Sequence, residues 1–216
     1  MWVYEKRLQY PVNITQTNAK LAQVIISQFG GPDGELAASQ RYLSQRYTMP
    51  DGMTKGLLND IGTEELAHLE IVCAIIYQLT KNLSVEEIKA SGFDKYYVDH
   101  TLGIWPQAAG GIPFNACVFQ VKGDPITDLT EDLAAEQKAR STYDNILRLI
   151  SDPEICDPIR FLRQREIVHF QRFIRFLRQR EIVHFQRFGE ALVHVQEGLP
   201  KNVYAYNPAF DNKKHC

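Results

Sequence analysis

Carboxylates and imidazoles stand on helix faces that otherwise carry Leu, Ile and Val, and this limits what the chain can fold into. Glu65 and His68 share a stripe with Leu58, Ile61, Val72, Ile75 and Leu79, in a helix expected over about residues 54–81. Glu136 shares one with Leu129, Leu133, Ala139, Tyr143, Ile146 and Ile150. Glu35 precedes Leu36, Leu43 and Tyr47, and Glu166 and His169 sit three apart within a fourth apolar pattern. A carboxylate buried among aliphatics without a partner costs several kcal/mol or protonates. Several together repel one another unless cations neutralise them, and two divalent metals would do so.

The spacing agrees with that reading. Residues three apart lie on one helix face, so Glu65 and His68 can address one centre, as can Glu166 and His169. Glu64 and Glu70 fall off that face and read as solvated charges. In an antiparallel helix pair, residues at equal height lie about equally far from the turn. Glu35 and His68 have their midpoint in TMPDGM at 48–53, and Glu136 and His169 have theirs in SDPE at 151–154. Both pairs are matched in height.

The chain as a whole reads as one all-α domain, residues 1–216. The first and second helices fall within 18–81, with a break at GGPDG (30–34) just before Glu35, because Pro32 lacks a backbone donor and clashes with the preceding turn. Residues 82–123 form a long crossover opened by Ser84 and Glu87 in capping-box spacing. Asp124-Pro125 signals the third helix, and Asp157-Pro158 repeats the signal for the fourth, after a loop at 151–157. The third and fourth helices occupy 124–188, and 189–216 reads as an extended C-terminal arm. Four helices with one long crossover between the second and third define a ferritin-like four-helix bundle.

The fourth helix carries a tandem duplication: IRFLRQREIVHFQRF at 159–173 recurs letter for letter at 174–188. Fifteen residues displace the copy by about 22 Å and rotate it by about 60°, which takes Glu181 and His184 away from the other candidate ligands. Pairing Glu136 with His184 would put the midpoint at Arg160, inside the helix, so the first copy fits better. The extra residues then lengthen the fourth helix or bulge after it. The alternative docks the second copy and squeezes the first into the loop. Arg175, Arg178, Arg180 and Arg187 read as a solvated face over Phe176, Leu177 and Phe185. His100, His194 and His215 have no matching partners and read as ordinary histidines.

Bulk properties narrow the partners. The formal charge of −2 supplies no long-range attraction to phosphate, even with eight Arg in the repeat, so nucleic acid is not expected. Cys73, Cys117, Cys156 and Cys216 are scattered, without a CxxC pair, which gives neither a thiolate zinc site nor a disulfide framework. No run reaches membrane-spanning length, and the start lacks the apolar core of a signal peptide. A cytoplasmic protein is the expectation.

GELAA around Glu35, GTEELAHLE around Glu65 and His68, DLAAEQKAR around Glu136 and REIVH around Glu166 and His169 together resemble the manganese catalases, in particular their spore-coat branch. The resemblance covers nearly the whole chain. The Glu plus Glu-x-x-His set is itself a known ligand pattern of di-iron and di-manganese bundles. It implies two manganese ions, with iron as the alternative, held by Glu35, Glu65, His68, Glu136 and His169 with a bridging carboxylate. It implies Glu166 as an unligated acid/base, and Tyr42 as a tyrosine hydrogen-bonded into the site, for which a plain core role is the competing reading. The implied activity is disproportionation of hydrogen peroxide to water and oxygen. A homo-oligomer, a hexamer by family habit, and other spore-coat proteins are the implied partners. Two alternatives stand beside it: a structural spore-coat or assembly protein with a vestigial site, and a di-iron oxidase or peroxidase of the rubrerythrin kind.

Overall fold

The computed structural model describes Glu5, residues 7–97 and residues 103–179. The first helical stretch is broken, as Pro32 predicts. Helix α1 (Ala19–Ile25) is capped by Asn18, which accepts from the Leu21 amide, and α2 (Ser27–Gly30) ends at Gly31. Helix α3 (Glu35–Gln45) restarts after the turn, with Glu35 at its first position. Asp51 caps α4 (Gly52–Thr80) by accepting from Thr54. The expected capping box, Ser84 with Glu87, opens α5 (Val85–Ser91) within the crossover. Asp124 caps α6 (Pro125–Leu149) with proline at its start, and α7 spans Pro153–Gln179.

Three expectations need correcting. The fourth helix starts at Pro153, not at Pro158, which lies inside α7. Asp152-Pro153 offers the same cap-plus-proline signal five residues earlier, with Asp152 accepting from the Glu154 amide. The early start also buries Ile155 and Cys156. In α3 the apolar phase misleads. Tyr47 is 72 % exposed and Leu36 and Leu43 are only partly buried, whereas Glu35, Ser39 and Tyr42 face inward. The inner face of α3 is polar because it lines the site. Of the cysteines, Cys73 and Cys117 are free, whereas Cys156 is disulfide-bonded, which the sequence spacing did not suggest.

Helices α3, α4, α6 and α7 make the bundle, α3 packing chiefly on α4 and α6 on α7. Gly62 allows the first of these contacts. A Cβ there would come within 3.0 Å of Leu43 and 3.2 Å of Tyr42, and Ser39 Oγ donates to the Gly62 carbonyl at 2.8 Å. Among the described residues there is no strand, only an isolated bridge between Gln107 and Pro113. The crossover packs over the bundle. Phe93 and Tyr96 are fully buried, Gln45 donates to the Gln120 carbonyl, and buried Arg41 donates to the Val118 carbonyl while pairing with Glu131 at 3.0 Å.

The core has two apolar clusters stacked along the bundle. One holds Ile71, Val72, Ile75, Tyr143, Ile146, Ile159 and Leu162, and the other Leu57, Leu58, Ile61, Leu129, Phe173 and Leu177. Residues 65–68, 136 and 166–169 fall between them, so a polar layer is sealed at both ends by hydrocarbon. The first six residues of the second copy, 174–179, continue α7 in line. Phe173 ends the first copy, and Leu177 of the second packs with it. Phe176 is partly buried and Arg175 exposed, as expected. Arg178 has no described side chain. Arg180, Glu181, His184, Phe185, Arg187 and the expected C-terminal arm lie outside the described residues, as do His100, His194 and His215. No helix among the described residues is long and apolar enough to cross a membrane.

Candidate metal centre

Six side chains converge in the polar layer: Glu35, Glu65, His68, Glu136, Glu166 and His169, each no more than 2 % exposed. Glu65 is central. Its Oε2 lies 2.7 Å from His68 Nδ1 and its Oε1 lies 2.8 Å from His169 Nδ1. Glu35 stands 3.8 Å from His68 Nδ1, and Glu136 stands 3.6 Å from His169 Nδ1. The two rings are stacked, with centroids 5.4 Å apart and planes 19° from parallel. The arrangement is two similar halves, Glu35 with His68 and Glu136 with His169, sharing Glu65. Ligand atoms of Glu65, His68, Glu166 and His169 all lie within 4.8 Å of one another.

The tyrosines link the halves crosswise. Tyr42 on α3 donates to Glu136 Oε1 at 2.6 Å, and Tyr143 on α6 donates to Glu35 Oε1. The sequence pattern marks Tyr143 only as a stripe residue. The signal was available, since Tyr143 follows Glu136 by seven residues, as Tyr42 follows Glu35. Glu64 also departs from its expected place. It is not a solvated charge: its side chain is 16 % exposed and its Oε2 accepts from His169 Nε2 at 3.1 Å. It reaches the ring edges because Arg165, from α7, draws it inward at 2.8 Å. Helical phase alone places a Cβ, and says little about where a long side chain ends.

The electrostatics show the strain of gathering these groups. Burial raises the Glu35 carboxyl to about 7 against the opposing hydrogen bond from His68. Glu166 is pushed well above the carboxylate range by burial, and then by the charges of Glu35, Glu136 and Glu65. Burial also raises Glu136, against the His169 charge. Glu65 goes the other way: burial would raise it, but His169 and His68 hold it well below the usual range. Glu64 is likewise lowered despite burial, by hydrogen bonds from His169, His68, Gln9 and Arg165. Burial would lower both imidazoles, yet the Glu65 charge raises both above their ordinary value.

The donor set fits bound metal. Glu65 Oε1, Glu136 Oε2, Glu166 Oε1, His68 Nε2 and His169 Nδ1 are buried with no aligned hydrogen bond, which is rare in a folded interior. Four carboxylates, if ionised, carry −4, which two divalent cations would balance. Oxygen donors with imidazole suit manganese or iron, and the cluster contains no thiolate.

The chain matches the family described as manganese containing catalase over residues 1–211. It belongs to that family. Protein CotJC of Bacillus subtilis strain 168 is 53 % identical over 173 residues, covering 80 % of this chain and 91 % of the relative. A probable manganese catalase of Clostridium acetobutylicum is 36 % identical, covering 78 % and 76 %. The crystal structure of KatB, a manganese catalase from Anabaena PCC7120, superposes with a TM-score of 0.75 at 32 % identity, covering 83 % of this chain and 80 % of that one. The fold is the ferritin-like helical bundle read from the sequence.

Proposed function

We propose that this chain is a manganese-dependent catalase, disproportionating two molecules of hydrogen peroxide to two of water and one of oxygen. The observation that carries the reading is Glu65 set between two imidazoles, with a further carboxylate beside each. Glu35 with His68 would hold one ion, Glu136 with His169 the other, and Glu65 would bridge. A bound manganese pair supplies the two-electron store that peroxide disproportionation requires.

The protein's own part is to orient and to move protons. Tyr42 and Tyr143 fix the carboxylates of Glu136 and Glu35 by donating one hydrogen bond to each. The apolar clusters on either side keep water from the buried donors and strengthen every charge interaction between them. Glu166, with Oε1 free of partners and its carboxyl raised by burial, is suited to hold a proton and pass it between peroxide oxygens as a general acid/base. His169 and Glu166 of the first copy serve the site in this reading, and Glu181 and His184 do not. By family habit the protein works as a homo-oligomer, and its likeness to CotJC supports a place in a spore coat beside other coat proteins.

A second reading has an observation of its own. Glu166 groups with Glu65, His68 and His169 as tightly as a ligand would. If it binds metal as a sixth ligand, the site becomes that of a di-iron oxidase or peroxidase. Elemental analysis after expression with equal manganese and iron distinguishes them. Manganese in excess of iron supports the catalase, and iron at two per chain with peroxidase turnover supports the rival.

A further inference from the structure

Two buried aspartates stand one helical turn apart on α6, and their surroundings differ. Asp128 accepts from the amides of Lys122 and Gly123 at 2.8 and 3.0 Å, which ties the end of the crossover to the helix. Asp132 is 0 % exposed, and neither of its oxygens meets an aligned donor. The Gln45 amide lies beside it. Gln45 Nε2 is committed to the Gln120 carbonyl at 3.0 Å, and Gln45 Oε1 is buried without a partner. Three buried acceptor atoms therefore lack a donor, which a folded interior rarely tolerates. A proton on Asp132 would supply one. Burial raises this carboxyl well above the carboxylate range, with the charges of Glu131 and Glu136 adding to the rise against Gln45 and Arg41.

The place adjoins the metal centre. Gln45 and Asp132 form the rung between α3 and α6 that follows Tyr42 and Glu136, about 6 Å further along the axis. The Tyr42 hydroxyl, which donates to Glu136 Oε1 at 2.6 Å, feels the Glu136 charge and next the charge of Asp132.

Peroxide disproportionation needs two protons held at the site. Reducing one peroxide to two waters takes up two electrons and two protons, and oxidising the next to dioxygen returns two electrons and two protons. Glu166 accounts for one proton. Glu35, Glu65, Glu136 and both imidazoles are committed to metal, and Glu64 is lowered despite its burial, so it stays ionised. Tyr42 and Tyr143 are raised well above 10 by burial and keep their protons at rest. Asp132 remains. We propose that Asp132 is the second proton store of the centre, carried as a neutral acid beside Gln45 and exchanging its proton with the site by way of the Tyr42 hydroxyl. It gives the proton up as peroxide becomes water and regains it as peroxide becomes dioxygen. This use of the proton rests on the catalase reading above.

Infrared spectroscopy of the manganese-loaded, full-length chain at neutral pH tests the proton, and kinetics tests its use. Asp132→Asn keeps the shape of the side chain and cannot hold an acid proton. The unmodified protein should show one protonated-carboxyl band, shifted in heavy water, that Asp132→Asn lacks. Identical spectra would overturn the proposal. With manganese content and melting temperature unchanged, Asp132→Asn should lower kcat by about 100-fold, the lower end of what positioned proton transfer contributes, and leave KM alone. Asp132→Glu, which restores a carboxyl, should recover part of the loss. An unchanged kcat in Asp132→Asn, or a fall that only follows lost manganese, would also overturn it. If Asp132→Asn does not fold, Gln45→Leu serves: removing the amide should move the band to higher frequency, and an unmoved band counts against the proposal. Unmodified protein that releases no oxygen fails the catalase reading instead, and the infrared comparison then decides the proton on Asp132 by itself.

Discussion

The phenol of Tyr143 on α6 donates to the carboxylate of Glu35 on α3, while the reverse bond runs from Tyr42 on α3 to Glu136 on α6. Each tyrosine follows a glutamate by seven residues, two helical turns, and each serves the glutamate of the other helix. The two carboxylates outside the Glu-x-x-His motifs are thus fixed by one repeated device, which ties the halves of the centre together.

Breaking either bond leaves a buried carboxylate oxygen without its donor. A hydrogen bond to a charged group contributes about 1.5–3 kcal/mol. Tyr143→Phe should therefore weaken metal retention on the Glu35 side, and Tyr42→Phe on the Glu136 side. Dialysis against a weak chelator, followed by metal analysis, should show each variant losing one ion ahead of the other. Retention identical to the unmodified protein in both variants would show that the bonds do not matter.

The duplicated motif gives a clean comparison. His169→Ala should abolish binding of one metal, whereas His184→Ala should leave the metal count unchanged. The reverse pattern would move the centre to the second copy.

With metal removed by a chelator, stability should depend on pH with a definite sign. Glu35 is raised from 4.5 to about 7, chiefly by burial. Its contribution is complete below about pH 4.5 and is lost as pH rises through 7. Glu136 and Glu166, also raised, act in the same direction. The imidazoles of His68 and His169, raised above 6.5, lose theirs as pH rises through their folded values. Glu64 and Glu65 are lowered, so their contribution is present above 4.5 and fades only in acid. The stripped chain should melt at a higher temperature near pH 5 than near pH 8, and manganese should remove or reverse the difference. A stripped chain that is more stable near pH 8 would contradict these shifts.

Gly62 sets the approach of α3 to α4 beside the centre. Gly62→Ala would place a methyl group 3.0 Å from Leu43 and 3.2 Å from Tyr42. Overpacking of this kind costs about 1–3 kcal/mol. Urea unfolding should show that loss, and the displaced Tyr42 should lower activity as well. An unchanged midpoint would mean the helices separate without cost.

Much of this was legible in the sequence, for a physical reason. Glu65, His68, Glu136, Glu166 and His169 interrupt apolar stripes, and a helical period shows such interruptions plainly. Height matching across TMPDGM and SDPE chose the first copy, and the structure brings Glu166 and His169 to the centre. Three things were hidden. The inward phase of α3 was obscured because its buried face is Glu35, Ser39 and Tyr42, which an apolar pattern does not mark. Asp157-Pro158 looked like a helix start because a cap-and-proline signal carries no information about a second one just upstream. Glu64 was missed because its position was judged by its Cβ, while its carboxylate is placed by Arg165 from another helix.

The central claim is that the glutamates and histidines of α3, α4, α6 and α7 meet because a catalytic metal pair neutralises them. Metal content and oxygen release from hydrogen peroxide, measured on one manganese-loaded sample, test it most directly. The account predicts two manganese ions per chain and oxygen release far above that of the same amount of free manganese. Protein that binds no metal, or that binds two ions and releases no more oxygen than free manganese, would contradict it.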